Sequence, residues 1–175
     1  MKTLVLVAHP NLEQSVMNNA WAAEIEKHEN VTVRRLYDVY PNEQIDVEEE
    51  QALLLAHDRI VFQFPFYWYS TPSLLKKWQD EVLSFGWAYG PGGDKLHGKQ
   101  FLLALSTGGP EISYVAGGYN HYTISELLRP LQATSNLIGT KYITPFTVHG
   151  VRFLSEEQVK ESAESYAQYV LNEDL

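Results

Sequence analysis

The chain has 175 residues, no cysteine and a formal net charge of −9. That length fits a single domain, residues 1–175, and zero cysteine excludes a disulfide scaffold, Cys-ligated zinc, an iron–sulfur cluster and a thiol nucleophile. Residues 43–58 carry six acids and no lysine or arginine, and residues 155–175 carry six acids and one lysine. A chain of this balance repels nucleic acid phosphates and anionic lipid surfaces. No apolar run approaches the roughly 18 residues that a membrane span needs. The apolar N-terminus runs into His9-Pro10-Asn11 rather than into a small-residue cleavage site, so a cytoplasmic protein is expected.

In chain order, Thr3–Ala8 is a continuous apolar run and reads as a central strand. Val16, Ala20 and Ala23 follow at helical spacing and mark a first helix. Val31–Leu36 reads as a second strand, and residues 46–56 as a helix with Leu53 and Leu54 inward. Arg59–Phe64 is a third strand. Pro72 stands where a helix begins, at a position whose missing N–H costs nothing, and Leu74, Leu75, Trp78 and Val82 line its inner face. Lys99–Leu105 is a fourth strand. Thr123 and Glu126 form a capping box for the next helix, and Pro130 bends that helix or delays its start. Lys141–Val148 holds a fifth strand, with Pro145 requiring an edge or a bulge. Ser155 and Gln158 cap a last helix, with Val159, Ala163, Tyr166 and Val170 inward.

Strict alternation of strand and helix means a parallel sheet with helices on both faces, in a three-layer α/β sandwich of strand order 2-1-3-4-5. Ligands of such sheets bind beyond the C-terminal strand ends, near the switch in strand order. The loop after the first strand, His9 to Asn18, runs into a helix N-terminus, where free amides favour an anion. The loop after the third contains Phe66-Tyr67-Trp68-Tyr69, part of a cluster that puts ten of the 22 aromatics between Phe62 and Tyr89. Such a cluster suits a flat π ligand or a subunit interface. The loop after the fourth, Ser106-Thr107-Gly108-Gly109, permits close backbone approach. An anion site, an aromatic wall and a glycine floor on one rim are what FMN requires.

Other motifs fall away. Gly93–Gln100 nearly spells a phosphate-binding Walker loop, but it ends in Gln100 and leads into a strand rather than a helix. The six histidines show no metal-ligand spacing, and no G-x-S-x-G elbow is present.

Seven short motifs in order carry a resemblance that runs from Leu4 to about Phe153. They are Ala8-His9-Pro10; Ser15 to Asn18; Pro65-x-x-Trp68-Tyr69-Ser70-x-Pro72; Gly86-Trp87-Ala88-Tyr89-Gly90; Leu96-His97-Gly98-Lys99; Thr107-Gly108-Gly109; and Pro130-Leu131-Gln132. On these the chain resembles the flavodoxin-like NAD(P)H:quinone oxidoreductases, including small bacterial members that serve as ancillary subunits of glutathione-gated potassium efflux systems. The resemblance implies that His9, Ser15, Val16, Met17 and Asn18 hold the flavin phosphate and ribityl chain. It implies that Phe66, Tyr67, Trp68 and Tyr69 contact the isoalloxazine, and that Ser106, Thr107, Gly108 and Gly109 meet its other polar edge. The family's catalytic tyrosine and histidine fall on Tyr114 and His121, here one residue further apart than in the family pattern. The animal members carry FAD and a C-terminal extension. The end of this chain soon after its last helix therefore sets an expectation of FMN, with NAD(P)H as co-substrate. The family's homodimers place the flavin at the subunit interface. The expected activity is two-electron hydride transfer to a quinone or similar small acceptor by a ping-pong mechanism. A flavin-binding subunit docked on a membrane potassium transporter is the alternative. A one-electron carrier is disfavoured, because no Thr-x-Thr-Gly phosphate loop is present.

Overall fold

The computed structural model describes all 175 residues. Six strands form one wholly parallel sheet: β1 (Thr3–Val7), β2 (Val31–Arg35), β3 (Arg59–Pro65), β4 (Gln100–Ser106), β5 (Lys141–Tyr142) and β6 (Phe146–Val148). The order is β2-β1-β3-β4-β5, with β6 also paired to β4. The helices in chain order are α1 (Val16–Ile25), α2 (Leu36–Val39), α3 (Val47–Ala56), α4 (Ser73–Val82), α5 (Ile124–Leu127), α6 (Arg129–Leu137) and α7 (Glu156–Leu171).

The pleat divides the strand residues between two cores. Leu4, Leu6, Ile60, Phe62, Phe64, Phe101, Leu103 and Leu105 face α2, α3, α4 and α6. Val5, Val7, Val61, Leu102 and Ala104 face α1 and α7. Because both faces are covered, β1 and β3 are buried along their whole length, including the polar Thr3, Arg59 and Gln63. No helix is long and apolar enough to cross a membrane.

Several boundaries differ from the sequence reading, each for a physical reason. On α1 the inward face is Met17, Trp21, Ala22 and Ile25, while Val16 is 68% exposed. The indole of Trp21 outweighs the small Val and Ala methyls in the area it removes from water. It stacks on Tyr166 at 5.1 Å between centroids and donates Nε1–H to Ser162 Oγ at 3.0 Å. Pro72 is the cap residue rather than the first helical one. The expected fifth strand is two pieces on the same edge of β4, parted at Thr144-Pro145 where the ladder lacks a donor. The short α2 was not anticipated; it takes over at Leu36, the last residue assigned to the second strand. Both capping boxes are present, Thr123 with Glu126 and Ser155 with Gln158. Pro130 lies in the first turn of α6, so the α5–α6 break falls where the proline required it.

One buried charge holds the α2–α4 layer together. Glu50 on α3 is fully buried and accepts from Arg34 Nε at 2.8 Å, Tyr40 OH at 2.7 Å and Trp78 Nε1 at 2.8 Å. These partners come from β2, the end of α2, and α4. Burial and the Glu50 bond push the Tyr40 phenol up to about 12. The Glu50→Ala variant leaves the buried Tyr40 hydroxyl and Trp78 Nε1–H without their acceptor and the Arg34 guanidinium with only the exposed Glu49 carboxylate, and it is expected to lose roughly 3–5 kcal/mol. Urea unfolding measures this, and a loss below about 1 kcal/mol would show that water replaces the carboxylate.

Candidate functional site

Three loops meet at the C-terminal ends of β1, β3 and β4, and hydrogen bonds tie them together. Phe66 N–H donates to Ser106 O at 2.8 Å, which joins the second loop to the third. Asn18 Nδ2 donates to Ser106 Oγ at 2.9 Å, which joins the start of α1 to the end of β4. Below them, the buried Gln63 donates Nε2–H to Asn18 O at 2.8 Å and accepts from Tyr166 OH at 3.0 Å.

At the first loop, Ser15 caps α1 by accepting from Asn18 N–H at 3.2 Å. The Val16 and Met17 amides donate to no protein acceptor, so the helix N-terminus offers two free donors with the dipole behind them. His9 is half-buried; burial lowers its pKa from the ordinary value. Its Nδ1 accepts from Asn11 N–H at 3.1 Å, which leaves the proton of the neutral ring on Nε2 as a donor. The Asn18 Oδ1 is buried with no donor.

At the second loop, Tyr67 and Ser70 exchange two backbone hydrogen bonds, of 3.1 and 2.9 Å, around Trp68 and Tyr69. Those central residues have φ of +47° and +61°, the signature of a tight I′ turn. Bulky side chains seldom adopt that conformation. The turn leaves Trp68 93% exposed and the Trp68 and Tyr69 amides free. Tyr67 stands edge-on to His9 with centroids 6.3 Å apart.

At the third loop the Gly108 and Gly109 amides are also free. The Tyr114 ring lies over this floor: a side chain on Gly109 would stand 3.4 Å from it. Tyr114 meets Phe66 edge-on at 6.2 Å, and burial raises its phenol pKa. Phe66, Trp68, Tyr69 and Tyr114 line one shallow cleft of about 180 Å³ together with Asn120. The last residue escaped the sequence reading; its Oδ1 accepts from Tyr69 OH at 3.1 Å. His121 sits on an exposed turn with φ +64°, and no ring contact or hydrogen bond joins it to Tyr114. The ring beside Tyr114 is His149 instead, stacked at 5.3 Å. No local motif marks this pairing, since His149 follows the end of β6.

These residues fit FMN as a group. They supply an anion site with two free amides, rim amides for the polar edges of a ring, and an aromatic wall. The donorless buried Asn18 carbonyl suits a ribityl hydroxyl. A larger groove of about 550 Å³ lies at the opposite end of the strands, but its His57 already uses both ring nitrogens, on Leu53 O and Thr32 Oγ1.

Comparison with known proteins agrees with this geometry. A family described as flavodoxin-like fold matches residues 1–171. The chain is 57% identical to an uncharacterized NAD(P)H oxidoreductase, YrkL, of Bacillus subtilis (97% of this chain, 98% of the relative). It is 42% identical to the glutathione-regulated potassium-efflux ancillary protein KefG of Serratia proteamaculans (98% and 93%). Among solved structures, general stress protein 14 of Treponema denticola in complex with FMN is 42% identical, with a TM-score of 0.94 (97% and 98%). An NADPH-quinone reductase from P. pentosaceus is 38% identical, with a TM-score of 0.90 (98% and 99%). A structure described as a thermophilic tryptophan halogenase from Streptomycin violaceusniger is 55% identical, with a TM-score of 0.94 (97% and 98%). The names agree on no single reaction, so the reaction must be argued from the site.

The Gln63–Tyr166 bond beneath the rim yields a pH test. Burial raises the Tyr166 phenol far above its ordinary value. The raised folded-state pKa contributes stability that is complete below the unfolded value near 10 and is lost as pH rises beyond it. Tyr166→Phe is expected to cost about 1–3 kcal/mol at pH 7, by leaving the Gln63 carbonyl without a donor. The variant's stability is also expected to fall less steeply above pH 10, as read by urea unfolding across pH.

Proposed function

The chain belongs to the flavodoxin-like fold family, and from that premise we propose that it is an FMN-dependent NAD(P)H:quinone oxidoreductase. The observation that carries this reading is the convergence of the free α1 amides, the aromatic wall and the glycine floor on one rim of the sheet. The FMN complex of a 42% identical structure supports the cofactor. The oxidoreductase and NADPH-quinone reductase names of close relatives support the reaction.

When bound, FMN supplies two-electron chemistry, taking a hydride equivalent from NAD(P)H and passing it to a quinone in a second half-reaction, a ping-pong sequence. The protein's part is to bind and orient. Val16 and Met17 amides, Ser15 and His9 hold the phosphate, and Asn18 holds the ribityl chain. Phe66, Tyr67, Trp68 and Tyr69 wall the ring, and the Ser106–Gly109 turn meets its polar edge. Burial keeps the Tyr114 phenol protonated, so it stands as a donor toward negative charge developing at that edge. His121 is proposed as the second donor, brought in by movement of its exposed turn.

The cleft of about 180 Å³ is smaller than the roughly 300–1,000 Å³ of typical small-molecule sites. A second copy of the chain would supply the missing wall, and the exposed Trp68, Phe85, Ile112 and Tyr119 give it an apolar surface. We therefore propose a homodimer in the cytoplasm. The KefG relative favours a second reading, in which the same flavoprotein docks on a potassium efflux transporter; co-purification with such a transporter supports it.

The first test is the absorption spectrum. Oxidised-flavin bands that NAD(P)H bleaches and menadione restores are expected. A colourless protein that takes up no added FMN overturns the reading. The second is the paired substitution Tyr114→Phe with His121→Ala, expected to lower flavin-normalised menadione turnover by about tenfold or more. Wild-type turnover would remove both residues from the chemistry.

A further inference from the structure

His149 lies outside every motif of the sequence, yet its ring reaches the glycine turn at the rim. Its Nδ1 lies 2.9 Å from Thr107 Oγ1. The same hydroxyl donates to Gly109 O at 2.8 Å. A hydroxyl has one proton, and Thr107 gives it to the Gly109 carbonyl. Thr107 Oγ1 must then accept from His149, so the neutral imidazole carries its proton on Nδ1 and leaves Nε2 bare. Burial lowers the His149 pKa against an opposing pull from Glu111, which keeps the ring neutral near pH 7.

The relay from His149 Nδ1–H to Thr107 Oγ1 and from Thr107 Oγ1–H to Gly109 O spans the turn whose Gly108 and Gly109 amides have no protein acceptor. The backbone supports the same turn: Thr107 N–H donates to Val148 O at 2.9 Å, and Gly150 N–H donates to Gly109 O at 2.9 Å. The opposite face of the imidazole stacks on Tyr114, with rings inclined by 29°. One side chain therefore touches both the glycine turn, through Thr107, and the phenol.

We propose that His149 is the positioning residue of the ring-edge donors. As an Nδ1–H imidazole it holds the Thr107–Gly109 turn and the Tyr114 ring in register, so that both stabilise negative charge on the reduced ligand. This rests on the FMN reading above. It gives Tyr114 a histidine partner from the β6 end of the sheet, different from His121. His149 is assigned no proton transfer. Its effect passes through Thr107, Gly109 and Tyr114.

Two measurements test it. Long-range proton–nitrogen correlation NMR on the flavin-free protein reads the tautomer directly. Nδ1–H is expected in the wild type, and an Nε2–H ring overturns the proposal whether or not FMN binds. The second measurement is the two-electron midpoint potential of the FMN-loaded protein, with thermal unfolding to confirm folding. His149→Phe keeps a ring against Tyr114 and loses the N–H. His149→Asn keeps an N–H and loses the ring. Thr107→Val breaks the link without touching His149. His149→Phe and Thr107→Val are each expected to weaken binding of reduced relative to oxidised FMN about tenfold. That equals a fall of about 30 mV for a two-electron couple. For His149→Phe, affinity for oxidised FMN, held at the α1 end, is expected to change by less than about threefold. His149→Asn is expected to recover at least half of the loss. FMN uptake with wild-type potentials in both folded variants overturns the role of His149 alone. Failure of the wild type to take up FMN overturns the function proposed above, and the ring-edge role with it.

Discussion

Gln63 is a fully buried amide near the end of β3, set between Phe62 and Phe64. An unpaired amide there would cost about 1–3 kcal/mol, so whatever surrounds it must satisfy it. Its nitrogen finds the Asn18 carbonyl on α1 and its oxygen finds the Tyr166 hydroxyl on α7. Both helices of that layer are therefore indexed against one point on β3. The hydrophobic contacts of Trp21, Ala22 and Ile25 would tolerate a sliding helix; the Gln63 bonds do not. With Asn18 pinned, Val16 and Met17 must emerge at the C-terminal end of β1, and the amide of Asn18 must reach Ser106 on β4. The position of the anion site follows from a hydrogen bond in the core.

The same logic separates what was readable in the chain from what was not. Strands β1, β3 and β4 are plain because a strand covered on both faces is mostly apolar, and no helix-length run competes. The α4 face was plain because Leu74, Leu75, Trp78 and Val82 repeat at the helical period. On α1 the spacing of Val16, Ala20 and Ala23 marks a helix but not its buried face, which is decided by the single large ring at Trp21. Glu50 stands among the six acids of residues 43–58, and nothing local distinguishes it from its neighbours. Its burial depends on Arg34, Tyr40 and Trp78, which reach it only after three elements have packed.

At the site, sequence composition revealed the parts but not their pairing. A helix N-terminus, four consecutive aromatics and a Gly-Gly turn each announce themselves locally. His149 does not, because its partner Thr107 is 42 residues away and the two meet only through the pairing of β6 with β4. Asn120 is similar, ordinary in its loop until Tyr69 OH finds it across 51 residues. The groups that prepare the rim are those whose partners the topology supplies, so they stay silent until the sheet is assembled.

The aromatic turn shows where this preparation stops. Trp68 and Tyr69 both occupy left-handed backbone, held by the two Tyr67–Ser70 hydrogen bonds. Each such residue costs on the order of 1–3 kcal/mol. Within the chain, Tyr69 recovers something through Phe66 and Asn120, but Trp68 stays almost wholly in water. A strained backbone that delivers an indole to solvent lowers the stability of the isolated chain on two counts. It makes physical sense only if the free energy is recovered when a surface or ring closes over that indole. The cleft it borders is correspondingly shallow, with its floor and one wall provided by the rigid sheet and the other side open. The rim is built to be completed from outside, by the ligand, by a second copy of the chain, or by both together.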